Sequence, residues 1–74
     1  MEDIEIGELR LARAERGFAH YLSVFGQKNE IFNITLPFIF IIESLDTENA
    51  VIMTPSNGLA YVSKIWIIDQ TTRL

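Results

Sequence analysis

The apolar residues of this chain change rhythm near Tyr21. Before it, Leu11, Ala14, Phe18, Tyr21 and Phe25 recur every three or four positions, the spacing that lays one apolar stripe along a helix. Glu8, Arg10, Arg13 and Arg16 fall off that stripe. A strand competes for the same segment, because Ile4, Ile6, Leu9 and Leu11 nearly alternate. That alternation fails at Arg13 and Glu15, so the spacing predicts a helix over 8–22. Gly17 weakens the helix and is a candidate terminus, after which Ala19 to Phe25 begins a strand.

From Tyr21 onward the composition favours strands. Tyr21 to Phe25 is a short run closed by the hydrophilic turn Gly26-Gln27-Lys28-Asn29. Ile31 to Leu45 is rich in Ile, Phe and Leu, and Pro37, which has no ladder donor, marks an edge, a bulge or a break within it. Asp46-Thr47-Glu48-Asn49 reads as a turn and Ala50 to Thr54 as a strand. Pro55-Ser56-Asn57-Gly58 is a second turn with the Asn-Gly hairpin signal. Leu59 to Val62 and Lys64 to Ile68 read as short strands with Ser63 at the kink between them, and Asp69 to Leu74 as a tail. A helix followed by about five short strands predicts a mainly β fold, a five-stranded small barrel with an N-terminal helix. No repeat, low-complexity segment or linker divides residues 1–74, so a single domain is expected.

A chain of 74 residues hides a small share of its surface, and its core is marginal without disulfides, a metal or partners. There is no cysteine and His20 is the only histidine, which removes a disulfide staple and argues against structural zinc. Oligomerisation remains. A hydrophobic content of 49% with a mean hydropathy of +0.21 agrees with it, and a homo-oligomer is expected. The net charge of −4 and pI near 4.7 oppose non-specific attraction to nucleic acid. Met1-Glu2-Asp3-Ile4-Glu5 lacks the basic start and apolar core of a signal peptide, and the cysteine-free composition fits a cytoplasmic location. Ile31 to Leu45 is too short and too interrupted to span a bilayer, so no membrane is expected among the partners.

The segment from Ile42-Glu43-Ser44-Leu45-Asp46 through Tyr61-Val62-Ser63-Lys64-Ile65 resembles the Sm-like family, its bacterial Hfq branch in particular. Asp46-Thr47-Glu48-Asn49 is similar to the first Sm motif, in which Asp precedes Asn by a few residues. Leu59 to Ile68 is similar to the second, with its aromatic or basic residue and closing Ile pair. The likeness covers most of the chain in element order and about thirty residues in detail. It implies an Sm-like (SH3-like) barrel, a cyclic ring built by strand pairing between protomers, and non-catalytic RNA binding or RNA chaperoning. The chain departs from the family in holding no Lys or Arg from Ile31 to Ser63. Tyr61-Val62 or Val62-Ser63 stands in place of the usual Arg-Gly or Lys-His, and Glu48 stands near the place of a base-stacking aromatic. The connection from Phe25 to Ile39 is also longer than the family pattern. Ser44-Leu45-Asp46 to Thr54-Pro55 further resembles part of the flagellar assembly factor FliW, a considerably longer family.

Arg10, Arg13 and Arg16 stand three apart and form a loose basic strip on the predicted helix. A solvated face salted with Glu8 and Glu15 explains them without function; phosphate contact, multiplied round a ring, is the functional alternative. The resemblance places Lys64 on a pore-lining strand and offers Asn49 and Tyr61 as amide and stacking contacts to a base. Packing at a subunit interface competes for Tyr61 and Trp66. Asp46, Asn57 and Gly58 are structural turn residues, the Asp46 carboxylate accepting local backbone N–H bonds. His20 has no partner pattern, and there is no phosphate loop, Ser-His-Asp arrangement or metal spacing. No catalytic residue, metal or cofactor is therefore expected, and the chain is not expected to be an enzyme. The leading expectation is an RNA-binding ring. A structural or protein-interaction oligomer, such as a phage or assembly component, is the alternative that the acidic charge favours. A ligand binder using clefts between subunits is a third.

Overall fold

The computed structural model describes residues 4–14, 21–55 and 58–74. Within them the strands are β1 (Leu9–Ala12), β2 (Tyr21–Gly26), β3 (Ile31–Thr35), β4 (Phe38–Leu45), β5 (Asn49–Thr54), β6 (Gly58–Ser63) and β7 (Thr71–Arg73), with helix α1 (Lys64–Gln70) between the last two. All seven strands pair antiparallel in one sheet of order β3-β2-β6-β5-β4-β1-β7.

Period-two alternation decides which side chains face inward. Phe38, Phe40 and Ile42 of β4, Ala50 and Ile52 of β5, and Ala60 and Val62 of β6 are buried. Ala12, Val24, Ile34 and Ile67 complete the core. Trp66, half-buried on α1, sets its ring 5.8 Å from that of Phe40, so the helix covers the inner face with an aromatic contact.

In the sheet β3 and β4 are separated by β2, β6 and β5, yet only Leu36 and Pro37 join them along the chain. A linker that short spans about 11 Å at most, because each Cα step is about 3.8 Å. The sheet must therefore curl to carry β3 back beside the start of β4. The seam that allows this is narrow, since β2 meets β6 only at Phe25↔Tyr61 and Gly26↔Ala60. Gly26 suits the seam: a Cβ there would lie 2.7 Å from Glu30 Oε1 and 2.9 Å from Phe32 Cε1.

Several expectations from the sequence need correction. Residues 9–12 of the predicted N-terminal helix form β1, and residues 21–22 open β2; residues 15–20 lie outside the described residues. Strand β1 runs between β4 and β7, where an extended chain can pair on both sides and a helix cannot. Lys64 to Ile68 is helical rather than extended. The extended Ser63 acts as its N-cap, with Oγ accepting from the Trp66 N–H at 3.0 Å. The expected tail instead supplies the end of α1 and strand β7. The closed five-stranded barrel with an N-terminal helix is thus replaced by a curled, open seven-stranded sheet with a short C-terminal helix, its outer strands β3 and β7 unpaired on one side among the described residues. The strands beginning at Tyr21, Ala50 and Leu59, the break at Pro37 and the turn at Asp46 agree with the sequence reading. Among the described residues no helix is long and apolar enough to cross a membrane.

Candidate functional site

Two of the arginines make their bonds inside the fold. Arg10 points inward and is fully buried. Its Nε donates to Thr71 Oγ1 at 2.7 Å, Nη2 to the Thr71 carbonyl at 3.3 Å, and Nη1 to Glu8 Oε2 at 3.2 Å. The other Glu8 oxygen pairs with Arg73, which stands opposite Arg10 across β1 and β7. Arg13 caps the end of α1: its Nη2 donates to the Asp69 carbonyl at 2.6 Å and its Nε to that of Gln70 at 3.4 Å. Both side chains bind β1 to α1 and β7. Arg16 lies outside the described residues, as do His20 and Asn57.

Asn49 and Tyr61 are brought together. They stand on β5 and β6, two residues apart in register, with Asn49 opposite Ser63 and Val51 opposite Tyr61. Together with Phe25, Gly26, Asn29, Val62 and Ser63 they line a groove of about 360 Å³. A neighbouring groove of about 490 Å³ runs from Tyr61 and Asn49 to Ser44, Leu45 and Asp46. Lys64 is not in either lining; it opens α1, where its N–H bonds the Glu48 carbonyl at 3.0 Å. The turn residues do local work. Asp46 Oδ1 accepts from the Thr47 N–H at 2.7 Å, while the Asp46 N–H reaches the Asn49 carbonyl at 2.8 Å. Gly58 has φ +77°, a left-handed conformation that L side chains resist, and its carbonyl accepts from Thr54 Oγ1 at 2.7 Å. Among the described residues no group of His, Cys, Asp or Glu could hold a metal ion.

The larger feature is the outer face of the sheet, which the sequence reading did not single out. Two rows of side chains cross it. One is Leu9 opposite Ile41, Ile41 opposite Met53, and Met53 opposite Leu59. The other is Ile31 opposite Phe25, Phe25 opposite Tyr61, and Tyr61 opposite Val51. The rows adjoin on β5 and β6. Leu9, Ile41, Met53, Ile31, Phe25 and Tyr61 are exposed to between 39% (Ile41) and 67% (Ile31), Leu59 and Val51 are half-buried, and no residue in either row is charged. At about 200 Å² per fully exposed large side chain they present on the order of 600 Å² of apolar surface, as much as the largest patch of a typical monomer. A sequence signal for this face exists. Phe38-Ile39-Phe40-Ile41-Ile42 is apolar at every position, the pattern of a strand covered on both sides, yet only one side is covered here.

Compared with protein-family models, with curated proteins and with solved structures, the chain matches none.

Proposed function

We propose that this chain is a non-catalytic contact module that assembles with further copies of itself through the outer face of its sheet. The observation that carries this reading is β4, whose Ile39 and Ile41 are exposed at 49% and 39% in a strand apolar on both sides. Charge supports a second copy as the partner. Each protomer carries −4, so an uncharged face lets two copies meet without setting like charges against each other, and the two rows are such a face. The estimated 600 Å² is near the ~800 Å² that each partner contributes to a standard interface once a polar rim is added. Sedimentation velocity tests it. A micromolar oligomer is expected, weakened by Met53→Lys at the centre of the patch, and a folded monomer of 8.5 kDa would end this reading.

A second reading, RNA contact of the kind the Sm-like resemblance implies, draws on the groove in which Phe25, Tyr61, Asn29 and Asn49 combine stacking and amide groups. It is the weaker of the two, because Arg10 and Arg13 bind within the fold and the groove lining holds no cation. Protein purified at low salt with a raised 260/280 nm absorbance ratio, lowered by Tyr61→Ala, would favour it.

A further inference from the structure

The two outer strands of the sheet differ in how well they are protected. Strand β7 is three residues long and carries Arg73, paired to Glu8. Strand β3 has five residues, Ile31-Phe32-Asn33-Ile34-Thr35, with no charge and no proline, and its pairing with β2 runs without a bulge. Those omitted features are the ones by which outer strands normally avoid pairing with other chains. We propose that β3 is a self-pairing edge, joined antiparallel to β3 of a second copy about a two-fold axis at Asn33. The sheet then continues from one protomer into the next.

Asn33 argues for a second copy rather than another strand. In an isologous contact the residue on the axis meets itself, so it must be its own complement. A charged side chain cannot be; a carboxamide, donor and acceptor at once, can. Asn33 occupies the middle of β3, and its Oδ1 accepts from Ser23 Oγ at 2.7 Å on the neighbouring strand β2. That leaves its amide nitrogen to donate across the axis, and a second lone pair on Oδ1 to accept in return. The same register sets Ile31, 67% exposed, against the partner's Thr35, so the largest exposed group of the strand gains a cover. The strand's own neutrality lets two chains of charge −4 meet along it, the charges nearest to it in sequence, Glu30 and Lys28, standing at or beside the β2–β3 turn. A head-to-tail ring would instead need β3 to pair with β7, which offers only three residues.

This pairing shares with the proposed function the identity of the partner and, at the end of one row, Ile31; the patch centred on Ile41, Met53 and Tyr61 lies on β4, β5 and β6, away from that edge. The test is a charge swap on the axis, read by native mass spectrometry and light scattering at matched concentration. Asn33→Lys and Asn33→Asp should each weaken the β3 contact at least about tenfold, since like charges meet across the axis. Mixed in equal amounts, the two should form a one-to-one hetero-oligomer that neither forms alone, which also shows that both remain folded. Wild-type association of either variant, or a mixture that stays unpaired, would overturn the proposal. Repeating the mixture on a Met53→Lys background separates the two surfaces. Retained hetero-pairing there means that the β3 edge stands even if the outer face does not.

Discussion

Removing the Glu8 carboxylate should destabilise the fold by about 3 kcal/mol, because it withdraws a carboxylate 3.2 Å from a guanidinium that water does not reach. Arg10 is 0% exposed and the Glu8 side chain 8%, with 3.2 Å between Nη1 and Oε2. Breaking a pair so buried costs about 3–5 kcal/mol, most of it the penalty of leaving the surviving charge in a poor medium. The lower end applies, since Arg10 keeps its bonds from Nε and Nη2 to Thr71. The half-exposed Arg73 partner adds less than about 1 kcal/mol. Against a total stability of about 4–11 kcal/mol for a chain this size, the loss is large. Glu8→Ala is the perturbation, and urea melts at fixed protein concentration are the assay, with the slope unchanged as the sign that only stability moved. Arg10→Met supplies the control. With the cation gone, Glu8→Ala should cost less than about 1 kcal/mol, giving a coupling of about 2 kcal/mol. Equal losses in the two backgrounds would refute this, showing that Glu8 does not compensate the buried Arg10.

Other substitutions test single contacts. Asp46→Ala should cost about 1 kcal/mol by removing the acceptor for the Thr47 N–H, while Asp46→Asn should leave the melting temperature nearly unchanged in a thermal scan at constant concentration. Ser63→Ala should cost about 1 kcal/mol in urea melts through loss of the α1 cap, and Ser63→Asp should retain most of the stability. Gly26→Ala should destabilise the β2–β6 seam, because the new methyl must displace Glu30 and Phe32; amide exchange in β2 faster than in β5 would register it.

Much of the strand order was legible because β2 to β6 are built from runs whose alternation, turns and proline agree with one another. The two failures have separate physical causes. In β1 the alternation is present but inverted. Leu9 faces out while Arg10 faces in, and a reader who expects cations outside sees neither a strand nor a core position. Two of the bonds that make Arg10 tolerable go to Thr71, sixty-one residues away, and no local window contains it. In α1 the run Ile65-Trp66-Ile67-Ile68 has strand propensity, and a single serine cap with an inward Ile67 overrides it. The candidate site divides similarly. Asn49 and Tyr61 line one groove, whereas Arg10, on strand β1, turns into the fold and Arg13 is fastened to α1; Arg16 lies outside the described residues.

The clasp between β1 and β7 also bears on the order in which the chain folds. Its contacts join residues separated by 61 positions, as from Arg10 to Thr71. Closing so long a loop from a disordered chain costs roughly 3.6 kcal/mol from the length-dependent part alone, and no local bond offsets that at the outset. The β4–β5 and β5–β6 hairpins face no such barrier, because their turns are short. Once they form, β4 offers β1 a paired template, and the distance the loop must close collapses. The ends are therefore the latecomers of the folding reaction. Because β7 is held by a short ladder and by the side chains of Glu8, Arg10 and Arg13, its release would also take from Arg10 the Thr71 acceptors on which its burial rests, so opening there reaches β1 as well.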